Sequence, residues 1–85
     1  MGFVPGKTYH RPAIDDTWCI RALGEIAHTF GHPIRIRLTM SDGKVITGHL
    51  GSVESRFVTI DVPTERLAVR VRGDEVEAFR LLPEP

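Results

Sequence analysis

Hydrophobic residues follow two periods along this chain, and the change between them falls near residue 34. Ahead of it, Cys19, Leu23, Ile26, Ala27 and Phe30 recur at helical spacing and form one face, flanked by Trp18 and Ile20. The spacing predicts a helix over residues 16–30. Asp15 or Asp16 can cap its start, Gly24 lowers its propensity, and Gly31 and Pro33 are stop signals. From residue 34 the period is two: Ile34, Ile36, Leu38 and Met40 alternate with Arg35, Arg37 and Thr39. Ser41-Asp42-Gly43-Lys44 is a hairpin signal with Asp-Gly as the preferred pair. A second strand, Val45–Val53, carries Gly48 and Gly51, residues that mark a bulge or a strong bend. A third is expected over Phe57–Val62, a turn at 63–66, a fourth strand over Leu67–Arg72 and a tight break at Gly73-Asp74. In a fifth, over residues 75–82, Val76, Ala78 and Arg80 alternate with Glu77, Phe79 and Leu81, and alternation leaves open which set is buried.

A helix followed by five strands in meander order, the second bent at glycines, predicts an α+β, mostly β fold. The expected form is an N-terminal helix on a strongly bent, five-stranded antiparallel open barrel. Residues 1–14, with Gly2, Pro5, Gly6 and Pro12 and no period, read as a flexible or loosely docked tail, and 15–85 as the domain, which Pro83 and Pro85 end. At 85 residues the chain is one domain with a modest core, which makes help from oligomerisation reasonable.

Eleven basic and eleven acidic residues cancel. A strongly basic nucleic-acid binder is therefore not indicated, and any phosphate-binding surface has to arise from local clustering. Lys7 and Lys44 are the only lysines, so the basic side chains are overwhelmingly arginine, which suits stacking and bidentate contacts. Cys19 stands alone, which excludes an internal disulfide, and reads as a small buried hydrophobe. No apolar run reaches membrane-spanning length, the N-terminus has no secretory pattern, and Gly6 stands where a myristoylation signal needs Ser or Thr. A soluble cytoplasmic protein without a membrane partner is the expectation.

Two stretches carry most of the functional information. In the first, Ile36 and Leu38 precede Asp42-Gly43, then Gly48-His49-Leu50, Val53-Glu54 and the apolar run from Phe57. The second is Val71-Arg72-Gly73-Asp74-Glu75-Val76. In this order, behind a helix that ends in a glycine-containing link, they resemble the two halves of an Sm motif. The resemblance covers residues 23–82, and the short connection at 63–66 is similar to that of small prokaryotic Sm-like (LSm) members. The resemblance implies subunits that join edge to edge into a homo-oligomeric ring, which is physically sound because ring closure pairs both open edges of the sheet. It also implies single-stranded RNA bound at the pore by the turns after the family's second and fourth strands, with bases stacked on flat side chains. Carried onto this chain, the arginine role falls on Arg72, the close backbone approach on Gly73 and the loop brace on Asp74. The acidic position falls on Glu54 and the stacking position on Arg56. The family's base-reading asparagine falls on Val58, which can neither donate nor accept at a base edge. Arg56 and Arg72 as a pair suit a sequence-tolerant clamp on a base or phosphate.

The remaining chemistry is thin. His28 and His32 are four apart, but Gly31 and Pro33 interrupt the helix there and no acidic or cysteine partner lies nearby in sequence, so no metal or cofactor is expected. Asp15 and Asp16 read as helix-start residues. No nucleophile–base arrangement stands out, so an enzyme is not expected. Arg35 and Arg37 share one face of their strand near Lys44, either as a solvated sheet face or as a second RNA surface. The expected function is that of an RNA chaperone or scaffold, with an Sm-fold structural or protein-interaction module that does not bind RNA as the alternative.

Overall fold

The change of period at residue 34 separates helix from sheet in the computed structural model, which describes residues 4–12, 15–30 and 34–83. Strand β1 (Thr8–His10) is followed by helix α1 (Trp18–Phe30) and by β2 (Arg35–Met40), β3 (Val45–Val53), β4 (Phe57–Val62) and β5 (Leu67–Arg72). A 3-10 turn (Gly73–Glu75) leads into β6 (Val76–Leu81). The helix stop at Gly31 and Pro33 and the domain end at Pro85 lie outside the described residues. Asp15 forms a turn just ahead of the helix, which begins at Trp18 and not at residue 16: its Oδ1 accepts from the Thr17 backbone N–H at 3.1 Å and from the Thr17 hydroxyl at 2.9 Å.

All strands form one antiparallel sheet in the order β1-β6-β2-β3-β4-β5. The sheet has six strands, not the five expected. The extra one is β1, inside the stretch assigned to a tail, where Thr8, Tyr9 and His10 pair with Arg80, Phe79 and Ala78. Three residues are too few to show a period, so tertiary contacts decide this strand. Tyr9 stacks on Phe79 at 5.4 Å between ring centroids, and Trp18 of α1 stacks on Phe79 at 5.2 Å. The Tyr9 hydroxyl also accepts from the Val4 N–H at 2.8 Å.

The β2–β3 hairpin closes as the Asp-Gly signal predicts. Gly43 adopts a left-handed φ of 91°, and Asp42 Oδ1 accepts from the Lys44 N–H at 3.0 Å. The predicted bend in β3 is a register shift against β4 between Leu50 and Ser52. A second shift, between Thr39 and Met40 against β6, resolves the ambiguous alternation of the last strand. It changes the phase, so Val76 faces inward before it and Phe79 and Leu81 after it; all three are buried. On the inner side Cys19, Ala22, Leu23 and Ile26 of α1 pack with Ile36, Leu38, Leu50, Val58, Ile60, Phe79 and Leu81 in one core. Burying each large side chain contributes about 1.5–3 kcal/mol.

Candidate functional site

Strands β4 and β5 bring the stretches around Glu54 and Gly73 together. Phe57 pairs with Arg72, and the register continues one residue further, where the Gly73 N–H donates to the Arg56 carbonyl at 2.9 Å. The Glu54 N–H donates to the Phe57 carbonyl at 2.8 Å and closes the β3–β4 turn beside it. Glu54, Arg56, Arg72, Gly73 and Asp74 therefore occupy one joint, although about 20 residues separate the two loops in sequence.

Gly73 is buried where α1 meets the 3-10 turn, and a Cβ there would lie 2.5 Å from Ile20 Cγ1. Glycine at this position lets the turn seat against the helix. An open cleft of about 240 Å³ lies between the start of α1 and the two loops, lined by Asp16, Thr17, Ser55, Arg56, Arg72 and Asp74. Arg56 is exposed and makes no ion pair among the described residues.

Carboxylates temper the other arginines of the joint. Asp74 holds Arg72 across the loop: Nε donates to Oδ1 at 3.2 Å and Nη2 to Oδ2 at 2.8 Å. Glu75 Oε1 stands 3.9 Å from Arg72 Nε. Glu54 engages Arg70 rather than Arg72, with Nη2 to Oε2 at 3.1 Å, and the Arg70 guanidinium lies 4.1 Å over the Phe57 ring. These are exposed pairs, each worth at most about 1 kcal/mol, so a competing anion can displace them. Val58 is fully buried in the core and reaches no ligand surface.

Three participants were not among the predicted site residues. Arg70 and Phe57 stack on the same side of the joint, and only cross-strand register brings them together. Arg11 reaches from the N-terminal segment to donate to the Asp74 carbonyl. No local signal in the sequence points to that contact. Arg11 also lies near Cys19, where burial pushes the thiol up to about 12 and the nearby guanidinium offsets part of the rise. A thiol held so strongly in its protonated form is a poor nucleophile.

His28 is exposed on α1, and His32 lies outside the described residues. Among the described residues no group of three His, Cys, Asp or Glu side chains is placed to hold a metal ion, and no helix is long and apolar enough to cross a membrane. Comparison with known proteins finds no matching family model, no matching curated protein and no matching solved structure. What the coordinates define is an α+β, mostly β domain with one helix, a six-stranded antiparallel sheet and an arginine-lined joint between two loops.

Proposed function

We propose that this chain is an Sm-type β module that binds single-stranded RNA at the joint and acts as a chaperone or scaffold rather than as an enzyme. One observation carries the reading: the Gly73-to-Arg56 backbone bond brings Arg56 and Arg72 to one cleft. Two guanidinium planes on adjacent turns suit stacking and phosphate contact without sequence readout. Strands β2 to β5 follow the expected meander, whereas β6 departs from it by returning beside β2 and not beside β5, which leaves the edge of β5 open for a second copy.

A homo-oligomeric ring belongs to the same proposal. β5 keeps a free edge, but β1 covers the outer edge of β6. Ring closure through β6 therefore requires β1 to leave it, or β1 to offer its own outer edge. Native mass spectrometry with and without RNA reports the stoichiometry. For RNA, Arg72→Ala is expected to weaken binding of short oligonucleotides, with affinity falling steeply as salt rises. Unchanged affinity in a variant that keeps its oligomeric state refutes the site.

The same covered edge, with Arg72 and Arg70 each paired to a carboxylate, favours a second reading: an Sm-fold interaction module that does not bind RNA. That module shows no oligonucleotide binding even at low salt, so one titration separates the two.

A further inference from the structure

The outer face of the sheet carries a second group of arginines, none of them held by a carboxylate among the described residues as Arg70 and Arg72 of the joint are. Ile36, Leu38 and Met40 of β2 point into the core, so Arg35 and Arg37 project from the opposite face. Arg80 of β6 stands directly across from Arg37, between the inward-facing Phe79 and Leu81. Directly opposed side chains on an antiparallel pair lie about 5 Å apart at Cβ, and like charges there are destabilising. Arg35 follows about 7 Å further along β2. None of these three guanidinium groups forms an ion pair among the described residues.

Polar side chains surround the group. Thr8 of β1 pairs with Arg80, Thr47 of β3 with Arg37, and His49 with Arg35. A shallow cleft of about 240 Å³ beside Arg35 is lined by Thr47, His49 and Thr64. Asp61 lies beyond His49 in the register and forms no ion pair with Arg35.

We propose that Arg35, Arg37 and Arg80 form a docking surface for the phosphate backbone of a single-stranded nucleic acid, separate from the Arg56–Arg72 joint. Two arginines facing each other across a strand pair without a carboxylate destabilise the free protein, and a polyanion converts that repulsion into attraction. Guanidinium groups match phosphate oxygens in geometry as well as charge. The neighbouring hydroxyls and imidazole suit a sugar–phosphate chain. In a protein of zero net charge, this face gathers three arginines that form no ion pair among the described residues, with Asp61 two strands away from Arg35.

The test compares oligonucleotide binding by the full chain with that of the Arg37→Thr/Arg80→Thr double variant, across a salt series. Threonine suits a strand, and removing the repulsion should leave the thermal midpoint at or above that of the parent. The expected result is about tenfold weaker binding near about 50 mM salt. The salt slope should fall by about 1.4, at about 0.7 per phosphate contact on a single strand. Arg80→Thr alone should lose about half of that slope, and serves if the double variant does not fold. Unchanged affinity and slope overturn the proposal, as does a parent chain that binds no oligonucleotide at low salt. Binding to phosphatidylserine vesicles without binding to oligonucleotides also overturns it. An Arg56→Ala/Arg72→Ala variant separates the two sites: loss only there refutes the outer face, and loss only at Arg37 and Arg80 refutes the joint.

Discussion

The two arginine groups of this protein face different electrostatic surroundings. At the joint, Arg72 is held by Asp74 and Arg70 by Glu54, and Arg56 there makes no ion pair among the described residues. On the outer sheet face, Arg37 meets Arg80 and Arg35 stands near them, without an ion pair among the described residues. A balanced charge total therefore hides an uneven distribution. A paired arginine is ordered and partly neutralised, so a ligand must compete for it. An unpaired cluster is available but raises the energy of the free fold. Where the carboxylates sit decides which surface is poised for an anion.

Four experiments can break or sharpen this contrast. The largest expected effect concerns the buried end of α1 beneath the joint. Burial raises the Cys19 thiol from 9.0 to about 12, so the folded state holds its proton more tightly than the unfolded chain. That stabilisation is complete below pH 9.0 and is lost as the pH rises towards 12, amounting to about 4 kcal/mol in full. Denaturant titrations of Cys19→Ala against the parent across that window should show the difference shrinking. A parallel offset at every pH contradicts it.

Next is Gly73→Ala, whose Cβ would meet Ile20 at 2.5 Å. It should cost about 1–3 kcal/mol by denaturation and shift α1 away from the turn. Ligand binding at the joint should suffer while binding at Arg37 and Arg80 does not. Equal losses at both surfaces erase the distinction between them.

Asp74→Asn then tests pairing directly. It frees Arg72, so oligonucleotide affinity should rise about two- to fivefold, matching an exposed pair worth about 0.5–1 kcal/mol. A fall in affinity makes Asp74 a positioning group rather than a competitor.

The smallest effect on binding is expected far from both groups, in the β4–β5 turn. Arg66 adopts a left-handed φ of 54°, which costs a non-glycine residue about 1–2 kcal/mol. Arg66→Gly relieves that strain but loosens the unfolded chain, for a net gain of about 0.5–1 kcal/mol. Oligonucleotide binding should not change; if it does, Arg66 contributes to one of the surfaces.

Several elements were legible before any coordinates. The strands around Ile36, Leu50, Ile60 and Val69, the hairpin at Asp42-Gly43 and the buried face of α1 all follow from local periodicity and turn chemistry. The adjacency of Arg56 and Gly73 was anticipated only through motif resemblance, since nothing local joins residues that far apart. Strand β1 was missed because its stability comes from Tyr9 packing on Phe79, a contact across nearly the whole chain. Arg11 at Asp74 and Arg80 opposite Arg37 were missed for the same reason.

The chain's own order of residues determined which side of each element is apolar, because a side chain's direction repeats with the backbone's period and needs no distant partner. Only folding in three dimensions decided which arginine meets a carboxylate and which meets another arginine. That outcome depends on strand register and on two bulges, and a one-residue slip in either would pair different charges.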